Sequence, residues 1–121
     1  MTTVALVLSS LLSVFFVFAG SVKVFGWQKL IFETQLAFFK SYGFNRQFMG
    51  LVGVIEMLAA LGLWWPQTII AAISAMVIAT VSVGAIACHL RYDSAKNAIA
   101  AIVTLSLSVT LLALNESLSL F

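Results

Sequence analysis

Four long apolar runs, at residues 3–25, 48–65, 68–90 and 95–114, restrict this chain to very few folds. Each is near the ~20 residues that a helix needs to cross the hydrocarbon core of a bilayer. Hydrophobic residues fill 63% of the 121 positions and charged ones 8%, too apolar a balance for a soluble domain to hide in its core. The runs are continuous rather than alternating, and no proline interrupts them, so helices are expected instead of barrel strands. The reading is an all-α, integral membrane four-helix bundle, a single transmembrane domain over 1–121. Little chain is left for a soluble domain. Cleavage of the first run as a signal peptide is disfavoured, because Met1 to Leu12 carries no basic segment.

The few charges are unevenly placed. Lys23, Lys29, Lys40 and Arg46 surround the first connection, and Arg91 and Lys96 the third. By the positive-inside rule these two connections face the cytoplasm and both termini face out, in a bacterial inner membrane or its equivalent. A net charge of +2 without any basic run excludes a nucleic-acid footprint. Cys88 is the only cysteine, so no disulfide forms within the chain.

The connections differ in kind. Between the first two runs, Trp27, Leu30, Ile31, Thr34 and Phe38 fall near helical spacing, and Lys29 and Glu33 stand four apart on the opposite side. An amphipathic helix over about 27–42 is expected at the membrane interface, ending near Gly43, either as a lid that completes the bundle or as a gate or docking surface. The second connection, "WWPQT", is a tight turn with Pro66 blocking continuation. In the third, "HLRYDSAKN", Ser94 is placed to cap the last helix.

Two ionisable residues fall where hydrocarbon should be. Glu56 lies eight residues into the second run, roughly 12 Å deep at the rise of an α-helix. Such a residue costs on the order of 2.5–3.5 kcal/mol to insert, so it is expected to face protein and a partner. Gly50, Gly53 and Ala60 share its side of the helix and let a neighbour come close. Helical side chains lean toward their own N-terminus, so Lys23 near the end of helix one leans inward while Glu56 leans up to meet it. His89, beneath a stripe of Ile78, Ser82 and Ala85, and Asn97, heading a face of Ala101, Thr104 and Ser108, stand at the same end. One polar centre built from all four helices is expected. It is either an ion pair that fixes which helices pack, or a site for a small molecule or a partner. No phosphate loop, nucleophile elbow or second histidine is present, so no catalytic residue and no metal site is assigned.

The segments "FFVFAGSVKVFG", "GLVGVIEMLAALGLWWP" and "GAIACHLRYD" resemble, in order and spacing, the DoxX-like family of small four-helix membrane proteins, a wider group that includes the receptor chaperone NACHO. The resemblance spans nearly the whole chain and implies a site at Gly20, Lys23, Gly53, Glu56, His89 and Asp93. Many relatives have glycine before the aspartate where this chain has Tyr92. The family also implies several jobs. The expected function is a non-enzymatic module whose polar centre, Lys23, Glu56, His89, Asn97, Gly20, Gly53 and Asp93, binds a lipid-like molecule or a membrane-protein partner, as in assisted assembly. The alternatives are an accessory subunit of a quinone-linked redox complex, and a small transporter or channel subunit acting as a homo-oligomer. No cofactor other than a quinone or lipid is expected.

Overall fold

The computed structural model describes residues 2–65 and 68–115, and it is all helical, with no strand among the described residues. The helices are α1 (Thr2–Phe25), α2 (Lys29–Ser41), α3 (Arg46–Gly62), α4 (Ile69–Tyr92) and α5 (Ile99–Leu114), with a 3-10 turn at Ala95–Ala98 leading into α5. Side-chain caps set most of the starts. Gln28, Asn45, Thr68 and Ser94 each accept a hydrogen bond from a backbone N–H three residues on. Ser94 thus caps the 3-10 turn rather than the α-helix itself.

Among the described residues three helices, not the four expected, are long and apolar enough by themselves to cross a membrane: Thr3–Phe25, Ile69–Tyr92 and Ala95–Leu114. The exception is α3. Its 17 residues end at Gly62, and Leu63, Trp64 and Trp65 form a turn instead of a last helical turn. Its rise of about 25 Å falls short of the usual core thickness. The rest of the "WWPQT" turn, Pro66 and Gln67, lies outside the described residues.

Helices α1 and α3 run antiparallel in tight register. Gly20 and Gly53 meet at the crossing, and the Ser13 hydroxyl donates to the Ala60 carbonyl at 3.0 Å. A Cβ built on Gly20 would stand 2.6 Å from the Gly53 carbonyl oxygen, and one on Gly53 would stand 2.7 Å from that of Gly20. Only glycine lets the backbones approach this closely. Helix α4 packs on α3 where Ser74 covers Gly62, and on α5 where the Ser82 and Thr104 hydroxyls bond at 2.7 Å. The ring of helices therefore runs α1, α3, α4, α5. The core between them is Leu12, Phe16, Ala60, Leu63, Ala75 and Ile78 with their neighbours. Outward the bundle is apolar too, with Val14, Leu58 and Ile99 among many exposed side chains. In water so much exposed apolar surface would aggregate; in lipid it is the solvated face.

The α2 helix sits across the ends of α1 and α3, and of the expected stripe only Ile31 and Phe38 turn toward the protein. Leu30 is 74% exposed and Trp27 57% exposed, and Thr34 also faces out. The half-buried face is Ile31, Phe32, Gln35, Leu36 and Phe39, with Phe38 beside it. The cause is the start of the helix. Gly26 turns the chain at φ 65°, Gln28 caps, and Trp27 stays outside α2, folding back so that its Nε1 donates to Ser21 Oγ at 2.9 Å. Lys29 and Glu33 are both exposed, and among the described residues no ion pair joins them.

Candidate functional site

Lys23 and Glu56 meet inside the bundle. Nζ lies 3.0 Å from Oε1, with the residues 7% and 4% exposed. Each stands three residues beyond the glycine at which its helix crosses the other. In an antiparallel pair the two Cα atoms then lie on opposite sides of the crossing, and each side chain reaches back over it. The glycines and the charges are one device, because close backbones are what bring the ammonium and carboxylate within range. The contact is an ion pair rather than a well-aimed hydrogen bond, since Glu56 Oε1 has no hydrogen-bond partner of good angle among the described residues. Met49, two helical turns before Glu56, is fully buried as well.

His89 and Asn97 do not join this pair, so the single polar centre expected from the sequence is two separate clusters. The second gathers at the end of α4. Asp93 is its hub: Oδ1 lies 2.8 Å from His89 Nδ1 and accepts from Asn97 Nδ2 at 2.9 Å and from the Ser94 N–H at 2.8 Å, while Oδ2 accepts from the Tyr42 hydroxyl at 2.8 Å. The separation has a plain cause. Asp93, one helical turn on from His89 at the end of α4, takes its ring nitrogen, and the α4–α5 turn brings Asn97 over the same carboxylate.

Withdrawal from water works against the charge on Asp93, but the hydrogen bonds from Asn97, Ser94, Tyr42 and His89 outweigh it and hold the carboxyl well below the usual carboxylate range. The same withdrawal, with the hydrogen bond to Asp93, its charge and a smaller influence of Cys88, pushes the Tyr42 phenol well above its ordinary value. The sign of the linkage follows. A carboxyl lowered on folding contributes stability above its unfolded value, about 3.9, and loses it as pH falls toward the folded value. Thermal melts of the detergent-solubilised chain should therefore show the advantage of the native protein over Asp93→Asn shrinking below about pH 4. An advantage that stays constant down to pH 2 would refute the network.

Sequence reasoning missed Tyr42 and Arg46. Tyr42 ends α2, and its ring packs on Phe38, His89 and Tyr92. Arg46 Nη2 donates to the Val24 carbonyl at 2.7 Å and its guanidinium lies over Phe32, so a cation assigned to topology also ties the starts of α2 and α3 to the end of α1. The available signal was their position, flanking Gly43 and the Asn45 cap. Tyr92, the departure from the family pattern, is half exposed beneath Arg91. Among the described residues no group of three His, Cys, Asp or Glu side chains is placed to hold a metal.

A groove of about 850 Å³ opens on the side of the bundle between α1 and α5. Its walls are the apolar side chains of α1 from Leu6 to Phe15 and of α5 from Ala100 to Leu107, with Ser10 and Thr104 the polar exceptions. The Thr104 hydroxyl is engaged with Ser82 and the Ala101 carbonyl, whereas that of Ser10 makes no hydrogen bond among the described residues.

Three helices fit to cross a bilayer, an apolar exterior and a sealed ion pair define an integral membrane protein. A family model described as the DoxX-like family matches residues 7–111, and the chain belongs to that family. No curated protein matches the chain, and no solved structure does.

Proposed function

We propose that this protein is a non-enzymatic membrane module that takes up an apolar molecule bearing a small polar group, in the groove between α1 and α5. The observation that carries this reading is the groove itself. Its volume, about 850 Å³, lies within the range of ligand pockets, roughly 300–1,000 Å³. Its lining is hydrocarbon apart from Thr104, whose hydroxyl is engaged, and Ser10, whose hydroxyl makes no hydrogen bond among the described residues, and a hydroxyl facing an apolar space is satisfied by a guest that brings a donor or acceptor. The Lys23–Glu56 pair is too enclosed to receive a polar head, and its part is to hold α1 against α3 while the α1–α5 side stays open. With the cationic ends of the bundle at the cytoplasm, the Ser10 level of the groove lies toward the opposite leaflet.

Native mass spectrometry of the full chain, released from mild detergent, is expected to show a bound species of lipid-like mass. Leu107→Trp, which fills the groove, is expected to remove that species without lowering the melting temperature. A bare wild-type chain, or retention by the filled variant, would overturn the proposal. A captured partner helix in place of a small molecule would do so equally.

A further inference from the structure

We infer that the Nε2 atom of His89 is a hydrogen-bond acceptor site for the hydroxyl group of an amphiphilic alcohol held at the membrane edge. This site is separate from the α1–α5 groove and does not depend on it.

The tautomer comes first. An ionised carboxylate has no proton to give, so the 2.8 Å contact between Asp93 Oδ1 and His89 Nδ1 requires the proton on Nδ1. The Tyr42 hydroxyl has a single proton, and Asp93 Oδ2 receives it, which leaves the phenolic oxygen as a second acceptor 2.8 Å from the same Nδ1–H. A neutral His89 therefore carries its lone pair on Nε2. That orientation is fixed unusually firmly, since Asp93 is itself held by Asn97 and the Ser94 amide and cannot turn away.

Nε2 is also unoccupied and reachable. It makes no hydrogen bond among the described residues and, unlike Gln35 Oε1 and Glu56 Oε1, is not sealed off. The side chain is only 15% exposed, with Phe38 set edge-on to the imidazole at 5.2 Å and Tyr42 at 5.8 Å. An oriented acceptor between aromatic walls, at the end of a 24-residue apolar helix, suits a guest with a polar tip and an apolar body.

Charge then narrows the class. The Asp93 carboxylate on one side disfavours an anion. Arg91 and Lys96, which bracket the same turn, disfavour a cation. A neutral donor remains, and in a bilayer that is an alcohol. A metal is a poor fit, because among the described residues no group of three His, Cys, Asp or Glu side chains gathers there, and the nearby Asp93 already binds the other ring nitrogen.

The chain has one histidine, so every imidazole nitrogen signal belongs to His89. The test is nitrogen NMR of the histidine-labelled full chain in phosphatidylcholine nanodiscs, whose headgroup carries no hydroxyl. Without additive, at a pH alkaline enough to keep the imidazole neutral, Nδ1 should carry the proton and Nε2 be bare. Dioleoylglycerol or hexadecanol should move the Nε2 signal toward its hydrogen-bonded position in a saturable way, and hexadecane should not. His89→Phe should weaken retention of the alcohol about two- to tenfold, the factor one neutral hydrogen bond carries. A predominant Nε2-protonated form, no response to either alcohol, or the same response to hexadecane would each overturn the inference. The wild-type titration needs no variant to fold, and Leu107→Trp should leave it unchanged, so its outcome is independent of the groove.

Discussion

Glu56→Ala is expected to destabilise the protein by about 3–5 kcal/mol, and Lys23→Ala by a similar amount, whereas the double change to Met and Leu should cost less than either. Each single change leaves an enclosed charge with nothing to neutralise it, in a place where water is scarce. Removing both charges removes the desolvation cost along with the attraction, and apolar side chains of similar length can fill the space. Unfolding in mixed micelles, followed by tryptophan fluorescence, gives the three free energies. Purely additive losses when Lys23→Ala and Glu56→Ala are combined in one chain would mean that the ammonium and the carboxylate do not act on one another, against their 3.0 Å separation.

Gly53→Ala carries the second large effect, a loss of roughly 1–3 kcal/mol in the same assay. The added methyl would meet the Gly20 carbonyl oxygen at 2.7 Å, the Lys23 Cβ at 2.7 Å and a Val24 methyl at 3.0 Å. Two of these belong to backbone or to the stem of a held side chain, so the helices must part. Gly20→Ala should behave alike, because it strikes the Gly53 carbonyl at 2.6 Å, although its other close neighbour, the Met57 Cγ, can swing aside. Parting the helices also stretches the ion pair. The Glu56→Ala penalty should therefore shrink on the Gly53→Ala background. Equal penalties on both backgrounds would show that the crossing and the charges are unconnected.

The meeting of Lys23 and Glu56 was legible because it depends on little beyond the local backbone. Helical side chains lean one way, and an antiparallel pair makes two such leans converge. The spacing of three residues from each glycine to its charge stands in the sequence as well. The face of α2 was only partly legible, for a reason visible in its residues. Leu30, Ile31 and Phe32 are consecutive, so the apolar arc is wide, and a stripe through Leu30 and Thr34 is as periodic as one through Phe32, Gln35 and Phe39. What decides between them is the Gln28 cap and the left-handed Gly26, which set the rotation at which α2 begins. The division of the polar residues into two clusters depends on the path of the α4–α5 turn and on Tyr42 arriving from another helix. Neither is a property of any one segment. The turn at Trp64 and Trp65 was legible from Pro66, but the apolar run continues through both tryptophans, so hydropathy alone gives a span longer than the 17 residues of α3.

The crossing of α1 and α3 behaves as a mechanical detent. Sliding one helix along the other by a turn would push a side-chain-bearing position into the gap that only glycine fits and would pull the opposed charges apart in the same stroke. Both penalties arrive together, so intermediate positions are the costliest, and the two helices are expected to travel as one stiff body. Any breathing that admits or releases a guest must then be taken up on the far side of the ring, where α5 leans against α1 across an open seam.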